Sequence, residues 1–250
     1  HGRGYSRFEH ARHGVELELL QFAAPDAPIK ISRLIVRNLS GRTRHLTVTA
    51  YVEWVLGTSS AVTAPSISTE IDAATGALLA RNLSSGPDAR VAFVDLRGRQ
   101  AAWTGDRREF IGRNGTLERP AALVGRTALS GRTGAGLDPC GALQAPLVLA
   151  ANSSVEIVWL LGEAATTLDA QVTIERWRSA DLDAILQARA ELAAVPVADI
   201  VANHAVGLWE LAILHLSPDP RPDGGPARPR MDEAGLAIDA LAAMVDTLGT

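Results

Sequence analysis

Cysteine and lysine are almost absent from this sequence of 250 residues. Cys140 is the only cysteine, which excludes an intrachain disulfide and any metal site built from several thiolates. Lys30 is the only lysine, so arginine carries nearly all of the positive charge. A single thiol is typical of a reducing compartment, and we expect a cytoplasmic location.

Long apolar runs and an excess of positive charge are also missing. No stretch of ~18 apolar residues exists, so no transmembrane helix is predicted. The net charge of −4 argues against nucleic acid or an anionic membrane as the main partner. Residues 1–13 are polar, unlike a signal peptide, and the missing initiator methionine indicates a piece of a longer protein. The apolar fraction of 47% suffices for the core of one domain, or one and a half.

Apolar residues alternate with polar ones in the first part of the chain, which predicts β-strands. Val15, Leu17 and Leu19 share one face of a predicted strand, while Glu16 and Glu18 share the other. The clearest strand has five apolar side chains on one face, namely Leu46, Val48, Ala50, Val52 and Trp54. Its β-branched and aromatic residues suit a half-buried sheet.

Turn residues between the strands predict how they connect. Residues 38–41 have turn chemistry, so we predict a hairpin over residues 29–55, with a bulge near Arg33 where the alternation slips. Residues 73–76 predict a second hairpin. Further short strands are predicted at residues 91–96, 143–149 and 155–161, with irregular loops over residues 97–138. Many short strands with regular turns are typical of a sandwich or barrel.

After residue 180 the apolar residues recur at helical spacing. A helix is predicted from Ser179, a second ends at about Leu216, and a third spans residues 231–248. Two longer helices have apolar stripes, formed by Ile200, His204, Leu208 and Leu211, and by Ile238, Leu241, Val245 and Leu248. Such a hairpin has little core of its own, so we predict a homo-oligomer that forms through this tail. The predicted organisation is a β-sandwich domain over residues 1–178, a linker helix over 179–196 and a helical hairpin tail over 197–250.

Metal and catalytic sites are not indicated by the spacing of reactive residues. His10 and His13 would face opposite sides of a strand, so they cannot easily share an ion. Glu16 and Glu18 lie on one face, but no nucleophile or base lies near them in the sequence, and solvated carboxylates explain them better. His204 is expected to pack in a helical core. We therefore predict no catalytic residue, no metal ligand and no cofactor.

Trp103, Asp106 and Arg107 form the strongest candidate for ligand binding. A tryptophan beside an aspartate and an arginine in a glycine-flanked loop can stack on a sugar ring while the charged groups bind its hydroxyls. We predict a carbohydrate-binding site at these three residues. The alternative is that they anchor the loop structurally.

Several segments resemble the sandwich domain of glycosyltransferase family 36, now glycoside hydrolase family 94. Residues 1–10 (HGRGYSRFEH), 31–34 (ISRL), 37–40 (RNLS) and 48–57 (VTAYVEWVLG) resemble its first strands. Residues 103–107 (WTGDR) and 109–115 (EFIGRNG) resemble its central loop, and 134–142 (GAGLDPCGA) the version in cyclic β-1,2-glucan synthases. The resemblance covers about residues 1–180. It implies a mainly β fold, an antiparallel β-sandwich of the supersandwich type, followed here by a small helical hairpin.

The resemblance also implies a function. Members phosphorolyse β-glucosidic bonds, and a helical (α/α)₆ barrel after the sandwich carries the general acid and the phosphate site. No catalytic residue is therefore carried over to this chain, and we expect a non-catalytic scaffold that borders a glucan site, in a parent enzyme associated with the inner membrane. The alternatives are a subunit that is active only with a separate barrel, and an interaction module.

The tail departs from that resemblance. Residues 203–212 (NHAVGLWELA) and 236–241 (LAIDAL) are similar to a small bacterial helical family of unknown function. A natural fusion, a truncated gene product and an artificial join are all compatible with such a tail.

Overall fold

The computed structural model describes residues 4–86, 88–125, 128–194, 197–217 and 229–248. It divides into two compact units, His1–Ala180 and Asp181–Thr250. The first unit ends close to the border that the sequence predicts at residue 178.

Two antiparallel sheets form most of the first unit. Within the described residues, seven strands form one sheet in the order β1-β2-β3-β10-β7-β6-β5, and three form another in the order β4-β9-β8. This arrangement confirms the predicted mainly β sandwich. The strands are β1 (Tyr5–Arg12), β2 (Val15–Ala23), β3 (Ile29–Asn38), β4 (Arg44–Glu53), β5 (Ile67–Ile71), β6 (Leu78–Asn82), β7 (Val91–Asp95), β8 (Ala102–Asp106), β9 (Pro139–Leu149) and β10 (Ser154–Ala164).

The main core lies between the two sheets. The apolar face predicted for β4 supplies one wall, and Trp54, just beyond the strand, is 4% exposed. Leu143 and Ala145 of β9 extend that wall, and Leu78 and Val94 of the larger sheet face them. Residues of one face alternate with those of the other along each strand, so the predicted inside face of β4 is confirmed.

The predicted hairpin over residues 29–55 is wrong, because β3 and β4 belong to different sheets. β3 pairs with β2 and β10, whereas β4 pairs with β9. The Asn38 side chain fixes this crossover: its amide donates to the carbonyls of Arg42, Leu149 and Ala150, at 2.8, 3.2 and 2.8 Å. The Asn38 side chain thereby joins the end of β3 to the end of β9 and to the turn that leads into β10.

The bulge predicted near Arg33 is also wrong. The register of β3 is continuous with both of its neighbours. Arg33 keeps its place in the alternation and donates to Glu156 of β10 at 2.5 Å. The apolar pattern slips because an ion pair occupies one position of the face, not because the backbone changes register.

A helix that the sequence analysis missed covers the other face of the larger sheet. Helix α4 (Thr167–Ser179) contacts β10 and β7. Thr166 and Asp169 form a reciprocal capping box at its start. Ile174 and Trp177 are buried along its inner side, 0% and 2% exposed. The sandwich unit therefore ends with a packed helix and not with a strand.

Short helices connect the other elements of the first unit. They are α1 (Ser60–Thr63), α2 (Arg107–Phe110) and α3 (Ala121–Gly125), with 3₁₀ turns at Ala64–Ser66 and Leu83–Ser85. α2 and α3 lie in the region that we expected to be loops and short strands.

The second unit consists of helices α5 (Leu182–Ala194), α6 (Val197–Leu216) and α7 (Met231–Leu248). The Arg230 amide donates to the His215 carbonyl at 2.8 Å, which closes an antiparallel hairpin of α6 and α7. No helix in the described part of the chain is long and apolar enough to span a membrane.

The predicted apolar stripes of this hairpin are only partly right. Leu208 and Leu241 are half-buried, but His204, Leu211 and Ile238 are exposed, so the expectation that His204 packs in a core is wrong. The side chains of Ile200, Val245 and Leu248 lie outside the described part of the structure. The residues buried in the hairpin are instead small: Ala212, Ala234 and Ala237. Helical periodicity identified the helices but not which of their faces meet.

Candidate functional site

The three predicted ligand-binding residues lie where β8 passes into α2. Segment 131–132 runs beside β8, since the Gly131 amide donates to Trp103 at 2.9 Å and the Gly105 amide donates to Arg132 at 2.7 Å. Gly105 is required there, because a Cβ would lie 2.2 Å from the Thr69 hydroxyl. This close packing holds β8 between β9 and the loop.

Trp103 is half-buried, and its ring lies between the core and Gly131 of the neighbouring loop. It pairs with Leu143 of β9 and packs against the main hydrophobic core. Its indole N–H is buried and has no hydrogen-bond partner among the described residues. The Trp103 ring is therefore held mainly by packing, whereas Asp106 and Arg107 are held by charged contacts.

Asp106 and Arg107 are both held by several contacts. Asp106 is 5% exposed and caps α2 by accepting from the Arg108 amide at 3.0 Å. Its other carboxylate oxygen lies 3.0 Å from Arg132. Arg107 donates to Glu53 at 2.8 Å, and its guanidinium also lies 3.6 Å from Asp138.

A polar cleft of about 340 Å³ opens beside these residues. Its lining comprises Asp106, Arg108, Glu109, Arg132, Gly136, Leu137 and Asp138. Glu109 is fixed by three donors: the Thr104 hydroxyl at 2.6 Å, and the amide and hydroxyl of Ser130 at 2.7 and 2.8 Å. The Arg108 side chain is exposed. The carboxylates of Asp106 and Glu109 are thus fixed at the cleft, and the guanidinium groups of Arg108 and Arg132 line it with them.

Hydrogen bonds and burial shift the pKa values of groups behind the cleft. The hydrogen bond from Arg107, and then that from Tyr51, lowers the pKa of Glu53. The same bond to Glu53 raises the pKa of Arg107. Burial raises the pKa of Tyr51, whose ring stacks on Phe110 at 4.7 Å. Burial also raises the pKa of the Cys140 thiol, which disfavours a nucleophilic thiolate at neutral pH.

The side chains that line this cleft are of types that can hydrogen-bond to hydroxyl groups. Carboxylates accept hydrogen bonds from a polyol and guanidinium groups donate to it. Asp106 and Glu109 are held by two and three partners respectively and keep acceptor sites free, which suits a fixed binding surface better than proton transfer. Among the described residues no cluster of three or more His, Cys, Asp or Glu could hold a metal ion.

Sequence reasoning missed Arg108, Glu109, Arg132 and Asp138 as neighbours of Asp106. Arg132 and Asp138 are separated from Asp106 by a stretch without periodicity, so no spacing rule brings them together. The capping position of Asp106 was the one local signal, because an aspartate before a short helical turn is a common N-cap.

The other candidates from the sequence have structural explanations. Glu16 and Glu18 do share a face, and both pair with Arg37, at 2.7 and 3.3 Å. His10 lies on β1, while His13 has a positive φ of 52° in the turn before β2.

The comparisons with known proteins agree with this fold. The model of the glycosyl hydrolase 94 supersandwich domain matches residues 1–180. The chain belongs to this family. The resemblance predicted from the sequence is thereby confirmed.

The chain is 32% identical over 217 residues to the cyclic β-(1,2)-glucan synthase NdvB of Rhizobium meliloti (strain 1021). The alignment covers 84% of this chain, which is more than residues 1–180, so it extends into the second unit. The match to the family model ends at residue 180, as the sequence predicts, whereas the alignment to this one relative continues beyond it. The chain spans only 8% of the length of NdvB.

Two solved structures are similar at 9% sequence identity. One is a polysaccharide lyase, with a TM-score of 0.43 over 67% of this chain and 23% of the lyase. The other is a human-microbiome protein assigned as a kojibiose phosphorylase, with a TM-score of 0.33 over 70% of this chain and 22% of that protein.

Proposed function

We propose that this chain is a non-catalytic scaffold within an enzyme of β-glucan metabolism, and that the cleft beside α2 borders the glucan. Membership of the supersandwich family supports the scaffold role. The observation that carries the glucan-bordering role is an open cleft lined by the fixed carboxylates of Asp106 and Glu109 and by the guanidinium groups of Arg108 and Arg132. Asp106 and Arg107 hold this surface in place, while Trp103 supports it from the core side.

The proposal places catalysis outside this chain. In the enzymes that the sequence resembles, an (α/α)₆ barrel carries the general acid, and that barrel would be the partner of this domain. We expect the purified chain to release no glucose 1-phosphate from β-1,2-glucan and inorganic phosphate. Heat-sensitive release would contradict the scaffold role. Activity that appears only on adding a separately produced barrel would favour the alternative of an enzyme subunit.

Calorimetric titration with β-1,2-glucan tests the cleft. Arg108→Ala and Arg132→Ala each remove a guanidinium group from the cleft wall, and we expect each to weaken binding at least tenfold, because a charged hydrogen bond contributes roughly 1.5–3 kcal/mol. Arg12→Ala is the matched control, since Arg12 is an exposed arginine on β1 of the other sheet. Absence of binding, or equal weakening by all three variants, would refute a glucan site here.

A second candidate function, an interaction module, is favoured by the exposed apolar side chains of the second unit. Trp209 is 58% exposed and Leu214 65% exposed on helix α6. We therefore propose that the chain self-associates through this unit, which light scattering of the full chain tests. We also propose that the scaffold lies on the cytoplasmic side, within an enzyme held at the inner membrane. The single cysteine supports this location.

A further inference from the structure

Helix α6 packs on α7 with one side only. Val201, Ala205, Leu208, Ala212 and His215 are buried or half-buried on that side, at the spacing of four, three, four and three residues that keeps side chains on one helix face. Ala234 and Ala237 of α7 are buried opposite them. This packed side is the first seam of the hairpin.

A second apolar seam on α6 has no partner among the described residues. Val206, Trp209, Ile213 and Leu216 are 56%, 58%, 48% and 43% exposed. Their spacing of three, four and three residues is that of the a and d positions of a helical bundle. At 100° per residue this second seam lies about 100° around α6 from the first seam. A helix in a four-helix bundle needs two such seams, because it contacts two neighbours.

Helix α7 has a matching second seam. Met231 and Ile238 are 62% and 46% exposed, and they lie about 75° around α7 from its packed side. In both helices, the second seam is reached from the first by rotating about the helix axis in the direction in which the chain winds from the N-terminus to the C-terminus. Because the two helices are antiparallel, equal rotations bring both second seams to the same side of the hairpin. The result is one continuous apolar face, which is half of a four-helix bundle.

We propose that this face binds the same face of a second copy of the chain and completes a four-helix bundle. The six side chains expose on the order of 650 Å² on one copy, near the roughly 800 Å² that each partner contributes to a standard interface. None of the six is charged, and α6 and α7 contain carboxylates but no lysine or arginine, which disfavours an anionic membrane as the occupant. The inference rests on the self-association proposed above and specifies the surface.

Sedimentation equilibrium of the full chain tests this face. Ile213→Glu combined with Ile238→Glu places two carboxylates in the second seams. Leu214→Glu combined with Leu236→Glu is the matched control, because these leucines are 65% and 70% exposed but lie more than about 100° from either seam. We expect a dimer at tens of micromolar for the unchanged chain and for the control, and a monomer for the seam variant.

A milder variant guards against misfolding. Trp209→Ala with Ile213→Ala should keep the helical circular dichroism and raise the dissociation constant at least tenfold. A monomeric unchanged chain would overturn the proposal, and so would a dimer that survives both seam variants or one that the control also abolishes. Glucan titration of the unchanged chain and of the monomeric seam variant separates the two proposals. An unchanged chain that dimerises but binds no glucan refutes only the cleft, and a monomeric unchanged chain that binds glucan refutes only the bundle.

Discussion

Arg178 joins helix α4 to a carboxylate that lies inside the sandwich. Its Nε and Nη2 donate to the two oxygens of Asp95 at 2.9 and 2.6 Å, and Nη2 also donates to the Thr75 carbonyl at 2.6 Å. The Asp95 side chain is 0% exposed and that of Arg178 is 24% exposed. Hydrogen bonding to Asp95 raises the pKa of Arg178. We predict that Arg178→Ala strongly destabilises the sandwich.

The magnitude follows from what the substitution leaves behind. Without Arg178 the buried carboxylate keeps two donors, the Gln100 amide at 2.9 Å and the Gly98 amide at 3.3 Å, but no described residue then supplies a countercharge in direct contact. Removing one partner of a buried ion pair typically costs about 3–5 kcal/mol. That is a large part of the roughly 5–15 kcal/mol that separates folded from unfolded domains.

Urea denaturation followed by tryptophan fluorescence and circular dichroism measures this cost. Arg176→Ala is the control on the same helix, since Arg176 forms an exposed pair with Asp26 and lies 5.6 Å from the Trp177 ring, contacts that contribute only about 1 kcal/mol. Asp95→Asn in the Arg178→Ala background should recover part of the loss, because it removes the unpaired charge. The reasoning fails if Arg178→Ala costs no more than Arg176→Ala.

Three further predictions concern Trp54 in the core, Asn38 at the crossover from β3 to β4, and Glu53 at the end of β4. Trp54→Ala should cost about 3–5 kcal/mol by urea denaturation; a loss below about 1 kcal/mol would contradict its buried position. Asn38→Asp should destabilise more than Asn38→Ser, because it turns carboxylate oxygens towards carbonyls that now accept from Asn38; equal stabilities above pH 6 would refute this. Since the pKa of Glu53 is lowered below 4.5, its stabilisation is present above that pH and is lost as the pH falls through the lowered value. Glu53→Gln should therefore flatten the acid limb of stability against pH, and an unchanged limb would contradict it.

Strand positions could largely be predicted from the sequence, but strand partners could not. The alternation in β4 identified its inner face because one side of the strand faces the core and the other does not. The same alternation is compatible with any neighbour, so β3 and β4 looked like a hairpin. The Asn38 contacts to Leu149 and Ala150 that separate these strands join residues more than a hundred positions apart.

The missed helix α4 did carry a local signal. Thr166 and Asp169 have the spacing of a capping box, and Ala170, Ile174 and Trp177 follow at helical spacing. The pattern is short, and two apolar residues on its outer side, Leu168 and Val172, are 67% and 60% exposed, which obscures the amphipathic periodicity. Tertiary packing decides which sheet face lies beneath α4 and which carboxylate pairs with Arg178, so neither could be predicted from the sequence.

The candidate site shows the same division between local and non-local information. The sequence drew attention to Trp103, Asp106 and Arg107 because they lie within five positions of one another. On a strand, residues an odd number of positions apart point to opposite faces, so the side chains of Trp103 and Asp106 diverge and Trp103 packs against the core. A register shift between Thr104 and Asp106 then sets Asp106 at the start of α2, facing Arg132. The cleft is built from the end of β8, from α2 and from the loop that precedes β9, so it can be located only after the strand pairing is known. Variants of Arg108 and Arg132, and not of Trp103, therefore test the glucan proposal.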